Sequence, residues 1–165
     1  MAVSTTQAIW RSGGGDQTRT AYCGTGLMVA QFYFDPTAAA GNKVTVSSSN
    51  SAYVILPANA VVVQINANAA GTGGTNPTFD MGYTLYTTGT ATNAGLLNEA
   101  DADVGKQVFT WATASVPGAA LGGVMSSSEM VYITGNVGAS AATGGSITGQ
   151  ILYYVTDPLL GQQNV

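Results

Sequence analysis

From Leu27 onward the chain is a series of short stretches in which apolar and polar side chains alternate with period two. That spacing sends successive side chains to opposite faces of a strand. In Leu27–Asp35, residues Met28, Ala30, Phe32 and Phe34 share one face, and Asp35-Pro36 closes the run. Lys43–Ser47 alternates in the same way, Ala52–Leu56 stops at Pro57, and Ala60–Asn66 is expected to turn Val61, Val63 and Ile65 inward. A Gly-rich turn, Ala70–Pro77, leads into Thr78–Tyr86, where Phe79, Met81, Tyr83 and Leu85 alternate with smaller or polar partners. Gln107–Ala112, Glu129–Thr134 and Ser146–Thr156 complete the set, and Asp157-Pro158 ends the last. Val, Ile, Tyr and Phe dominate these runs, and Gly, Pro and Asn separate them, as strands and turns require.

Two stretches lack this pattern. Residues 1–26, centred on Ser12-Gly13-Gly14-Gly15-Asp16, have no apolar periodicity and read as an extended arm. Residues 87–106 read as loop, with at most a helical turn near Asn93–Glu99, because Gly95 and the Thr-Gly pairs interrupt any period. The expected organisation is therefore an N-terminal arm (1–26), an all-β domain (27–157) and a short tail (158–165). Eight or nine strands with frequent turns and no sustained helix predict an antiparallel β-sandwich or jelly roll.

Composition narrows the function. The 165 residues include 7% charged side chains, against roughly 25% in an average soluble chain, yet 45% are hydrophobic, so the chain folds rather than staying disordered. The absence of His removes the commonest general base and imidazole ligand. A single cysteine, Cys23, makes neither an internal disulfide nor a structural zinc site. Four basic residues against eight acidic ones give a net charge of −4, the wrong sign for phosphate contacts, so no nucleic-acid partner is expected. No apolar run approaches the ~20 residues that cross a bilayer, and the N-terminus lacks the pattern of a secretion signal. Neither a membrane partner nor export is expected.

The chemistry-bearing candidates are few. Glu99, Asp101 and Asp103 fall at every second residue; extended, they would point one way and offer oxygen ligands to Ca²⁺. The spacing is not that of an EF-hand, and an acidic, solvated loop is the expected reading. A carboxylate pair drawn from Glu99, Asp101, Asp103 or Glu129 would serve a glycosidase, but no aromatic platform accompanies it. The glycine runs at 13–15 and 24–26 lack the Lys-Ser/Thr of a phosphate loop. No cofactor and no enzymatic activity are expected.

Several motifs carry a resemblance. Leu56-Pro-Ala-Asn-Ala-Val-Val-Val-Gln-Ile65, Gly74-Thr-Asn-Pro-Thr-Phe-Asp-Met-Gly82, Gly95-Leu-Leu97 and the closing Val131-Tyr-Ile-Thr134 … Gly144–Tyr154 resemble the strands of tailed-bacteriophage virion proteins. The similarity spans about residues 53–157. It implies a β-sandwich subunit, most often a capsid decoration (cement) protein, trimeric and set on the outside of the shell, with the major capsid protein and copies of itself as partners. The virion would then be assembled in the host cytoplasm. The resemblance supplies no catalytic residue.

Two further patterns suit such a role. Val29 and Tyr33 lie opposite Phe32 and Phe34, and Leu152 and Tyr154 lie opposite Ile151 and Tyr153, so some strands are apolar on both faces, where a solvated face would be polar. The arm holds Trp10, Arg11 and Arg19, an aromatic and two cations of the kind that anchor interfaces. Interface candidates are thus Trp10, Arg11, Arg19, Tyr33, Leu152 and Tyr154. Two other readings stay open: a receptor- or carbohydrate-binding β-sandwich of a tail fibre or adhesin, with its patch on loops, and a small jelly-roll major capsid protein.

Overall fold

A computed structural model describes residues 26–37, 42–103, 105–111 and 117–156. The arm candidates Trp10, Arg11 and Arg19, together with Cys23 and the tail 158–165, lie outside these residues. Among the described residues eleven strands follow one another: β1 Met28–Phe34, β2 Asn42–Lys43, β3 Thr45–Ser47, β4 Asn50–Tyr53, β5 Ile55–Leu56, β6 Ala60–Ala70, β7 Thr78–Leu85, β8 Ala91–Asp101, β9 Lys106–Thr110, β10 Val131–Val137 and β11 Ser146–Val155. All pairings named below are antiparallel.

The larger sheet has the order β4-β3-β1-β11-β6-β9, and the smaller one β2-β10-β7-β8 with β5 also paired to β10. Leaving out the short β3–β4 hairpin, and taking β2 and β5, which both pair with β10, as one edge position, β1-β11-β6-β9 faces (β2/β5)-β10-β7-β8, so the chain passes between the sheets and the first and last of the described strands lie side by side. This is the eight-stranded jelly roll, a β-sandwich as the alternation predicts.

The core lies between the sheets. Ile65, Phe79, Met81, Leu96, Leu97, Ile133, Ile147 and Ile151 are fully buried. Phe79 and Phe109 meet edge to face at 6.5 Å, an arrangement worth about 0.5–1.5 kcal/mol beyond area burial. Glycine makes room for two aromatic rings. A Cβ on Gly135 would strike the Phe34 ring, and one on Gly149 would strike Phe32 and the Asn66 carbonyl.

Two expectations need correction. Residues 91–101 are a strand, neither loop nor helical turn. Between the pairs Phe79↔Ala100, Met81↔Leu97 and Tyr83↔Thr92, β8 uses more residues than β7 to cover the same length. The surplus forms bulges, which break the period-two pattern. Glu99 sits at one of them with φ +55°, and adjacent Leu96 and Leu97 are both buried. The bulged backbone packs on β7 where Gly82 has no side chain, since a Cβ there would strike the Thr92 carbonyl. The second correction is on β6. Val62, not Val63, is fully buried. The β6–β11 register slips between Leu152 and Tyr153, leaving Val63 as the extra residue, so inward positions are Ala60 and Val62 before the bulge and Ile65, Ala67 and Ala69 after it. Val61 is also buried; the segment that follows β9 reaches it, with Val61 bridged to Val124.

Candidate functional site

The carboxylates of residues 99–103 do different jobs. The Glu99 carboxylate accepts hydrogen bonds from Thr78 Oγ1 (2.6 Å) and from the Ala139 N–H (2.9 Å), tying β8 to the turn between β10 and β11. Its own N–H donates to Asp80 Oδ1 at 2.7 Å. Asp101 Oδ1 accepts from the Asp103 N–H at 2.7 Å, closing a local Asx turn. The positive φ at Glu99 breaks the alternation that would have aimed all three side chains one way. Among the described residues no group of three acidic, cysteine or histidine side chains gathers at metal-ligating distance. Burial, reinforced by the Glu99 charge and opposed by the Glu99 N–H, raises the Asp80 pKa above the ordinary aspartate value.

The outer face of the larger sheet is a broad accessible surface. Register aligns its side chains across four strands. One row reads Val29, Leu152, Gln64, Thr110; the next Gln31, Gln150, Asn66, Val108; the third Tyr33, Thr148, Asn68, Lys106. The second and third rows line a shallow groove of about 890 Å³ floored by Phe32, Ala67 and Gly149. Four of the eight side chains in these two rows are carboxamides and one is charged. Tyr33 thus stands in the groove, while Leu152 pairs with Val29 in a separate, more apolar row. Tyr154 lies beyond the bulge, opposite Val61. The second apolar face anticipated from the sequence is therefore mixed, with amides between its apolar members.

The surface around β10 carries the opposite chemistry. On β10, Tyr132 stacks with Tyr86 at 4.9 Å and 20°, and meets Tyr53 edge to face at 5.8 Å. Lys43 Nζ lies 3.8 Å from the Tyr132 ring centre and 5.2 Å from that of Tyr53, a double cation–π contact. Loss of solvent, followed by the hydrogen bond and charge of Tyr86, raises the Tyr132 pKa above the ordinary phenol value. Tyr53 is 49% and Tyr86 45% exposed, and exposed Ile55 and Met130 complete the patch. The neighbouring turn is fixed by Glu129, whose carboxylate accepts the Thr87 and Thr88 N–H groups; chiefly the Thr87 N–H lowers its pKa. Sequence reasoning missed this patch, since Tyr53, Tyr86 and Tyr132 are distant in the chain. The only local sign was an aromatic on the polar phase of each strand.

No family model matches the chain, and no curated protein matches it. Among solved structures, a chain of the cyanophage Pam1 capsid asymmetric unit is similar over 81% of this chain and 87% of its own length, at 14% identity and a TM-score of 0.45. At that distance the likeness carries no weight for function, which rests on this chain's own residues.

Proposed function

We propose that the chain is a structural protein of a tailed-phage virion, bound to the outside of the head as a decoration protein that holds neighbouring copies of the major capsid protein. The observation that carries this reading is the patch of Tyr53, Tyr86 and Tyr132 braced by Lys43 and rimmed by Ile55 and Met130. Its rings hold one another in place, so little side-chain entropy remains to be lost on docking. Exposed apolar patches with aromatic centres are where protein partners dock. The strand motifs that resemble virion proteins point the same way. A net charge of −4 keeps an outer protein off the genome. No catalytic step belongs to this role.

The chain acts as a homo-oligomer, a trimer in this reading, joined through the apolar row of Val29 and Leu152 with Tyr154 beside it. Light scattering tests that part: Tyr154→Asp should dissociate the oligomer, and a wild-type monomer at micromolar concentration would refute it.

Attachment is tested by adding the purified chain to heads that lack it. Stoichiometric binding that is lost in Tyr132→Ala supports the decoration role. Failure to bind, or a copy number in virions equal to that of the shell subunit, overturns it; the latter outcome makes the chain the shell protein itself.

A further inference from the structure

We propose that the groove on the outer face of the larger sheet binds a neutral glycan chain, an inference that stands independently of any place on a phage head. The groove is built from Gln31, Gln150, Asn66 and Asn68, with Tyr33 and Val108 at its ends. Each carboxamide offers two donors and an acceptor at fixed positions. A sugar hydroxyl is likewise donor and acceptor, so amides match it without charge. Ionic ligands are a poor fit: among the described residues Lys106 is the one charged side chain along the groove, whereas phosphate polymers call for several cations.

Shape and spacing agree with a polymer. The groove is open and shallow, and Gln31, Gln150 and Asn66 stand opposite one another on three neighbouring strands. Strands lie about 4.8 Å apart, close to the length of one hexose, so a chain running across the strands meets an amide at each residue. The Tyr33 ring supplies an apolar surface for a sugar face. A protein partner suits this face less well, because interface centres are enriched in aromatic, Met and Arg side chains. Aromatic and Met side chains gather instead in the patch of Tyr53, Tyr86, Tyr132 and Met130. The groove is also prearranged: Gln64 Nε2 donates to Asn66 Oδ1 at 2.6 Å, fixing that amide, and Gly149 lets Phe32 pack flat beneath the strands.

The test uses the full chain, ¹⁵N-labelled, titrated with neutral hexasaccharides of glucose, mannose and N-acetylglucosamine, and with hyaluronan as the charged contrast. The expected result is saturable shifts of the side-chain amide resonances of Gln31, Gln150, Asn66 and Asn68 with at least one neutral oligosaccharide. Gln150→Ala, an exposed position, should weaken that binding at least tenfold while leaving the melting temperature unchanged. Asn68→Ala provides the second variant. No shift with any neutral probe, stronger binding of hyaluronan, or shifts confined to the tyrosine patch would overturn the proposal. So would protection of the groove amides by self-association of the chain. Because no particles are present, this outcome is separate from that of the attachment experiment.

Discussion

The Thr134 hydroxyl is fully buried on β10 and has no hydrogen-bond partner among the described residues. A buried unsatisfied polar group costs about 1–3 kcal/mol. Thr134→Val keeps the shape and removes the group, and should raise stability by about 1 kcal/mol, or roughly 2–4 °C in melting temperature for a chain of this size. Asp80 is the second residue held against its preference. Its folded pKa is raised, so the native state binds the proton more tightly than the unfolded one. The penalty is absent below the ordinary aspartate value and fully present above the raised one. Asp80→Asn retains an acceptor for the Glu99 N–H, so it should stabilise the protein at pH 7 and lose that advantage as the pH falls toward 4. Denaturant unfolding of both proteins across that range checks the sign. Glu99 differs from its acidic neighbours because its carboxylate joins the start of β7 to the turn between β10 and β11. Glu99→Ala should cost about 1 kcal/mol, whereas Asp103→Ala, an exposed change, should stay within about 0.5 kcal/mol.

Bulges decide the character of the strands. On β8 they bring Leu96 and Leu97 into the core together, and on β6 they switch the inward set from even to odd positions. Neither feature can be read from periodicity, because a bulge moves every following side chain to the other face. What the chain does show is the glycine each close approach requires. At Gly149 an added Cβ would meet the Asn66 carbonyl and the Phe32 ring. Overpacking of this kind costs typically 1–3 kcal/mol. Gly149→Ala should therefore lower stability by at least that amount and disturb β11–β6 pairing, visible as faster amide exchange along both strands. Gly123→Ala, which has no contact closer than 3.7 Å, serves as the control.

At the scale of the molecule, the described strands of both sheets run from Met28 to Val155. Residues 1–24 lie outside the described residues, and the sequence reads them as an arm without a core-forming pattern. Deleting them should leave the β-type circular dichroism and the melting temperature unchanged. If the arm carries contacts through Trp10, Arg11 and Arg19, the truncated chain should bind heads at least tenfold more weakly, a difference of about 1.4 kcal/mol. Unfolding on truncation would make the arm part of the domain. Wild-type attachment would make it dispensable. The surface is also divided chemically, with an aromatic patch around Tyr132 and an amide groove on the outer face of the larger sheet. Tyr132→Ala and Gln150→Ala should thus act independently, as sites without shared partners do.

Alternation of apolar residues was enough to set the class of fold, because a strand half in the core must place every second side chain there. It also located β1, β7 and β11 and the inward residues Phe32, Phe34, Phe79 and Met81. The absence of His from the sequence by itself removes imidazole chemistry. Strand order, bulge positions and the meeting of Tyr53, Tyr86 and Tyr132 were decided by tertiary structure alone. Each joins residues far apart in the chain, and local pattern holds no record of which strand lies beside which. The amide groove belongs to the same class. Gln31, Gln150 and Asn66 look like ordinary solvent-facing positions until register sets them side by side.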